Sequence, residues 1–444
     1  MTKEKFLTIL FRLLNEANVD YFVYGEYQYL PVHNGNSDID MLVEEAHFQT
    51  FIAIIKDILN VSNISLVSFY RNRNISFIRL LSKDNWGIQF DVTKGWFHKG
   101  QIYYPAQYLK DRLLLHNGIV RVLDYNVGLY LDFFKEVINI GQAKGKYIKG
   151  FLDEYIKNRS TREQELLSLY GNSFITLIND NLSEEGLTKI IPSLRKQMIR
   201  TIHKTDFLQR IVIKFESLVR ITQRPGYVIV VEGTDGSGKS FIINSITPIL
   251  NETFHKGIVY NHLRPHCLPD IAELLGKRKK KEDGATLVVS DPHAQNQSSI
   301  LGSLVRWSYY MIDYTWGYMR KVWLPIHSKS KVFIFDRYYY EYYIDQRRSH
   351  VNLPMWIIHF GEFFIPKPDL ILCLGGDPEK IYARKPETSL EEVTRQTKVL
   401  KEFCAKRKNA VWIDTTIAPE ESINAAMKAI NDMMSKRFDI NDLK

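Results

Sequence analysis

The apolar residues change their period along the chain, and three regions follow from it. Phe6, Ile9, Leu10, Leu13 and Leu14 recur at helical spacing, which predicts an amphipathic surface helix. Short apolar runs then predict strands at Tyr21–Tyr24, Ile39–Val43, Ser65–Phe69, Ser76–Leu80 and Gly87–Val92, with a Pro-, Asn- and Gly-rich loop at Pro31–Ser37. From Leu129 to Ile140, and again from Leu166 to Ile178, apolar residues return at three and four, which predicts helices. Ser160 and Glu163 have capping-box spacing between them. A turn-type junction, Thr222 to Gly226, opens the third region. There, strand-like runs at Tyr227–Val231, Ile258–Asn261, Val332–Phe335, Leu370–Leu374 and Ala410–Ile413 alternate with helical stretches. Five apolar strands separated by helices predict a parallel sheet covered on both faces. The expected fold class is α/β, with regions at 1–125, 126–222 and 223–444.

At 444 residues the chain can bury cores without disulfide or metal staples. Aromatic residues at 13% argue against disorder as the dominant state. Lys and Arg number 59 against 50 Asp and Glu, a net +9 that fits a phosphate-bearing substrate and equally fits a solvated basic surface. Three cysteines, Cys267, Cys373 and Cys404, without a C-x-x-C, argue against a disulfide framework and against a cysteine zinc site. His98 and His116 lack H-x-x-x-H spacing, and they and the remaining histidines read as structural or surface residues. No apolar run reaches the roughly 18 residues that span a bilayer. The start resembles a signal peptide only superficially, because Arg12 interrupts it and no small-residue cleavage site follows. A soluble protein in the reducing cytoplasm is expected, with no membrane partner.

Gly233-Thr-Asp-Gly-Ser-Gly-Lys-Ser240 satisfies G-x-x-x-x-G-K-[ST] between a strand and a helix-like run, Phe241–Leu250. Gly233, Gly236 and Gly238 let backbone N–H groups curl around an anion, and Asp235, Ser237 and Phe241 belong to the same ATP-binding segment. In that arrangement Lys239 reaches the β- and γ-phosphates and Ser240 holds Mg²⁺. The segment Val231–Ser240 resembles the opening of thymidylate kinases. Asp336-Arg337-Tyr338 resembles that family's DRY motif, Pro368–Leu374 with Asp377-Pro-Glu379 its fourth strand and approach to the lid, and Val411–Asp414 its last strand. The resemblance covers about 227–430. It implies a P-loop NTPase domain using ATP and Mg²⁺. Asp235 would contact the acceptor's sugar hydroxyl, Asp336 would help hold Mg²⁺ or the attacking phosphate, and Arg337 would clamp the acceptor phosphate. Arg264 and Tyr338 would lie near the acceptor, and Arg384 with Lys385 would close as a lid. The family often forms homodimers, so a homodimer is an expectation by resemblance alone.

The sequence departs from that family in places. The Asp-Arg pair of the helix before the DRY strand is reduced to Asp313, with Arg306 or Arg320 as substitutes. The tyrosines after Arg337 could stack on a base or simply pack. Ser290-Asp-Pro-His293 is foreign to the family. Lys277–Lys281 is the densest basic run, but Glu282 and Asp283 follow it, so a solvated loop is expected and nucleic acid is not an expected partner.

In the first region Asp38 and Asp40 stand at i and i+2 on a strand, and so share a face. Asp91 lies in another strand. Three carboxylates from adjacent strands can hold the metals of a nucleotidyl-transfer site. The pattern resembles nucleotidyltransferases of the polymerase-β type over about 1–125, except that Glu26 stands where that family has Ser or Gly against the triphosphate. An active transferase and a degenerate binding or regulatory domain both remain open. The expected whole is a nucleotidyltransferase-like domain, a helical connector and a thymidylate-kinase-like domain. Its expected reaction is phosphoryl transfer from ATP to a nucleoside monophosphate or another phosphorylated small molecule. The rivals are nucleotidyl transfer as the main activity, and a nucleotide-binding regulator without turnover.

Overall fold

The computed structural model describes the chain except residues 36, 73, 203–214, 216–217, 219–220, 270, 272–298 and 444. The basic run Lys277–Lys281 and the stretch Ser290–His293 lie outside the described residues. The chain divides into two compact units, Met1–Val219 with Phe438–Lys444, and Arg220–Arg437.

The first unit opens with α1 (Lys3–Glu16), capped by the Thr2 hydroxyl, which accepts from the Lys5 N–H. Its buried face is Phe6, Leu7, Leu10, Phe11 and Leu14. Ile9 and Leu13 are only half-buried, so the apolar stripe is rotated from the one expected, centring on Leu7 and Phe11. A seven-stranded sheet follows. Its strands are β1 (Tyr21–Val23), β2 (Ile39–Val43), β3 (Ile64–Arg71), β4 (Ile75–Ser82), β5 (Gly87–Thr93), β8 (Leu113–His116) and β9 (Val120–Leu123), in the order β3-β4-β5-β2-β1-β9-β8. A separate hairpin, β6 (Trp96–His98) with β7 (Gln101–Tyr104), was not foreseen in the sequence. β2 runs parallel to β5, which sets Asp40 directly opposite Asp91.

The helices between Tyr125 and Ile202 share one apolar core with strands of this sheet. Phe22 and Leu42 from the strands lie in the same cluster as Tyr130, Phe134, Phe151, Phe174 and Leu194. The helix expected over Leu166–Ile178 is two, Arg159–Tyr170 and Asn172–Asn179, because Gly171 takes φ +86 between them. The capping box expected at Ser160 and Glu163 does not form. Ser160 lies inside the helix, and the Glu163 carboxylate is taken by Arg159 Nε at 2.9 Å and Asn179 Nδ2 at 2.8 Å.

The second unit is built on β10 (Tyr227–Gly233), β11 (Ile258–His262), β12 (Val332–Asp336), β13 (Leu370–Gly375) and β14 (Ala410–Asp414). Their order is β11-β12-β10-β13-β14 and every pairing is parallel. The five-stranded parallel sheet expected from the apolar runs is therefore present. β10 and β13 are buried at every position, as a sheet covered on both faces demands. The chain leaves β10 toward β11 and β12 on one side and reaches β13 and β14 on the other. This puts a topological switch point at the carboxyl end of β10, where open α/β sheets bind ligands.

Candidate functional site

At that switch point β10 ends in Gly233, a tight loop follows, and the helix Lys239–Thr253 begins. Gly236 and Gly238 take φ +80 and +82, and a Cβ on Gly236 would lie 2.6 Å from the Ile381 carbonyl oxygen, so a side chain fits neither the backbone nor the space. The helix's first N–H groups have no intrahelical acceptor, and its positive end faces the loop. The buried Thr234 and Ser237 hydroxyls have no partner among the described residues. Orphaned donors around a left-handed loop fit an anion such as a polyphosphate.

Lys239 is almost fully buried and folds back on the loop, donating to the carbonyls of Gly233 at 2.9 Å and Thr234 at 2.8 Å. Burial, and then the positive charge of Arg337, pull its ammonium down to about 8. Ser240 and Phe241 are exposed in the first helical turn, where the Ser240 hydroxyl is free to reach a metal.

Beside the loop lies a set of paired charges. Arg337, 2% exposed and at φ +69, donates from Nη2 to Asp235 Oδ1 at 2.7 Å and from Nη1 to Glu341 Oε1 at 2.6 Å. Arg348 Nη1 takes the other oxygen of Asp235. Burial opposes ionisation of Asp235, but Arg337, Lys239 and Arg348 outweigh it and hold the carboxyl well below the usual range. Asp336, at the end of β12, accepts from the Tyr260 hydroxyl at 3.1 Å and stands 3.7 Å from His262 Nδ1. Burial would raise it, yet His262, Lys239 and Arg337 bring it down to about 2. Its Oδ1 has no partner among the described residues, which suits a metal ligand. Glu232 is fully buried and accepts from the Tyr338 N–H at 2.8 Å. Desolvation and the Glu341 carboxylate push Glu232 well above its ordinary value.

Of the residues expected here, Lys239, Asp235, Asp336 and Arg337 come together. Arg264 is tied instead to Asp313, Nη1 to Oδ2 at 2.5 Å, with its guanidinium 4.7 Å from the Tyr310 ring. Asp313 thus takes its arginine from the loop after β11, and no hydrogen bond or ion pair among the described residues joins it to Arg306 or Arg320. Tyr338 is fully buried, its ring against Tyr314 and Phe335 and its hydroxyl on the Pro366 carbonyl at 3.1 Å, and so it packs. Arg384 is exposed at the end of the helix Pro378–Arg384 and donates to the Thr415 carbonyl at 2.8 Å. It makes no contact with the Asp235–Arg337 group among the described residues, and Lys385 pairs with Glu387 at 3.0 Å. Glu341 and Arg348 carry roles that sequence reasoning had not assigned. The i, i+4 spacing of Arg337 and Glu341 was the one available signal for the first.

In the first unit, ligand oxygens of Asp38, Asp40 and Asp91 all lie within 4.8 Å of one another. Burial, then Asp38, raise Asp40 to about 7 and Asp91 to about 8. Glu26 is exposed just after Gly25 and adds to the negative field on Asp40, while Lys135 on the helix Tyr125–Asn139 opposes it. Three carboxylates with oxygen donors only fit a hard divalent cation such as Mg²⁺. A row behind them fixes Asp91. Gln89 Nε2 donates to Asp91 Oδ1 at 2.7 Å, and the buried Arg79 Nε donates to Gln89 Oε1 at 2.8 Å.

All three cysteines are free thiols. No helix among the described residues is long and apolar enough to cross a membrane. No family model and no curated protein matches the chain. Among solved structures, a thymidylate kinase from Ehrlichia chaffeensis aligns at 16% identity with a TM-score of 0.30, over 46% of this chain and 99% of that one.

Proposed function

We propose that the second unit transfers the γ-phosphoryl group of ATP, with Mg²⁺, to a nucleoside monophosphate or a related phosphorylated small molecule. The observation that carries this reading is the convergence of Lys239, Asp336 and the Asp235–Arg337–Arg348 group at the carboxyl end of β10. Phosphoryl transfer asks for positioning and fixed positive charge more than for covalent chemistry. On this reading Lys239 exchanges its two carbonyl contacts for donor phosphates. Ser240 and the free Oδ1 of Asp336 hold Mg²⁺, which neutralises charge on the transferring group when bound. Arg337 and Arg348 orient the acceptor, and Asp235 sets the direction of both guanidinium groups. Arg384 serves as a lid residue only by leaving Thr415. The test is to follow the γ-phosphate of ATP onto a panel of nucleoside monophosphates, with the Lys239→Ala variant beside the parent.

A second reading concerns the first unit and rests on the clustering of Asp38, Asp40 and Asp91. There, a divalent cation on the three carboxylates supports nucleotidyl transfer or metal-nucleotide binding. Titration with Mg²⁺ and Mn²⁺, with and without Asp38→Ala plus Asp40→Ala, tests it. Unchanged metal and nucleotide binding in the double variant would remove this site from consideration.

A further inference from the structure

A cleft in the Arg220–Arg437 unit lies at the carboxyl ends of β13 and β14. It holds about 310 Å³ and is lined by Gly376, Pro378, the helix Leu390–Ala405 and the end of β14. No residue of the loop Gly233–Ser240 lines it. The volume sits at the lower end of small-molecule sites, roughly 300–1,000 Å³.

Its two walls differ in chemistry. One helix face supplies Thr394, Thr397, Lys398 and Lys401, at i, i+3, i+4 and i+7. Lys398 and Lys401 are exposed, and neither makes an ion pair among the described residues. Thr397 is 6% exposed, and its hydroxyl has no partner among the described residues. An unpaired buried hydroxyl in a cleft wall calls for a ligand or a water. The facing wall is the half-buried indole of Trp412 with the Asp414 carboxylate. The ring lies hard against the β13 backbone, since a Cβ on Gly375 would stand 2.2 Å from it, so it is a fixed platform. Lys401 Nζ sits 5.8 Å from its centroid.

We propose that this cleft binds an anionic small molecule carrying a flat ring, of mononucleotide size or less. Lys398 and Lys401 hold the anionic group, Trp412 stacks on the ring, and Thr397 and Asp414 meet the polar edge. Two cations against one carboxylate leave the cleft net positive, which favours an anion, and the indole separates a ring-bearing anion from a bare one. The inference is independent of the kinase reading, because it needs no turnover.

Pyridoxal 5′-phosphate has the required charge and ring and forms an imine with a lysine amine, which borohydride fixes. Peptide mass mapping on the full chain then reads each lysine separately. Lys398 or Lys401 should be modified at least tenfold faster than Lys406 and Lys408, which are exposed on the same unit. AMP should protect them at lower concentration than either inorganic phosphate or adenosine. Trp412→Leu should raise the AMP concentration for half-protection about tenfold. If that variant fails to fold, Lys401→Glu should produce the same loss of protection at Lys398. Modification no faster than at Lys406 and Lys408 would overturn the proposal. So would phosphate or adenosine protecting as well as AMP, or a folded Trp412→Leu protected like the parent.

Discussion

Arg337 donates to Asp235 at 2.7 Å while Arg348 takes that carboxylate's other oxygen, so one aspartate on the phosphate loop orients two guanidinium groups from different parts of the chain. Asp235→Asn keeps the shape but removes the charge from both pairs. Breaking one partner of a buried charge pair costs roughly 2–5 kcal/mol. We expect kcat/KM on a competent acceptor to fall about 100-fold, while ATP affinity changes less than about threefold. Steady-state kinetics beside ATP binding by calorimetry checks this. An equal loss in ATP affinity would place Asp235 on the donor side instead.

Lys239 gives the second unit a pH signature. Its ammonium titrates near 8 in the folded chain against 10.5 unfolded. Between these values the unfolded chain binds more protons, so this residue's contribution to stability rises as pH rises from 8 to 10.5. Nucleotide binding runs the opposite way, because only the charged amine attracts phosphate. ATP affinity should weaken as pH passes upward through about 8, and Lys239→Ala should flatten that slope. A titration of ATP affinity from pH 7 to 10 on both proteins reads it directly.

The carboxylates of the first unit carry the opposite sign. Asp40 near 7 and Asp91 near 8 are raised above their ordinary value. The folded chain then holds more protons than the unfolded one between about 4 and 8, so stability falls as pH rises through that window. A cation bound by the three oxygens should restore it. Melting curves of the parent at pH 5 and pH 8, with and without Mg²⁺, should show a metal-dependent rise only at the higher pH. Asp40→Asn should be more stable than the parent at pH 8 without metal, and indifferent to Mg²⁺.

Much of this was legible in the sequence, and the reasons for what was not are physical. The strand Val332–Asp336 and the loop before Lys239 announce themselves through local signals: an apolar run and a glycine pattern. Asp40 and Asp91 could be nominated, because Asp38 and Asp40 share a strand face and Asp91 lies in another strand, although the parallel register that joins them is a tertiary fact. Arg264 and Tyr338 mark the limit. Whether an arginine meets a ligand or a buried Asp313, and whether a tyrosine stacks on a base or on Tyr314, depends on which elements pack, and no local pattern encodes that. The capping box at Ser160 failed for a similar reason, since Arg159 and Asn179 compete for Glu163.

Arg162 is a purely structural case. It is fully buried between Glu154 and Glu165, each at 2.7 Å, with the Tyr104 hydroxyl also on Glu165. Arg162→Ala leaves two buried carboxylates without their cation. We expect a loss of about 3–5 kcal/mol from the first unit in urea denaturation, with no change in ATP binding at Lys239.

Phosphoryl transfer by the second unit is decided by the fate of the γ-phosphate. The purified 444-residue chain is given ATP labelled at that position, Mg²⁺ and a panel of nucleoside monophosphates and sugar phosphates, beside Lys239→Ala. Label should appear on at least one phosphorylated acceptor, with a loss of about 10²–10³-fold in the variant. ATP that binds without passing label to any acceptor, or transfer that survives Lys239→Ala, would contradict it.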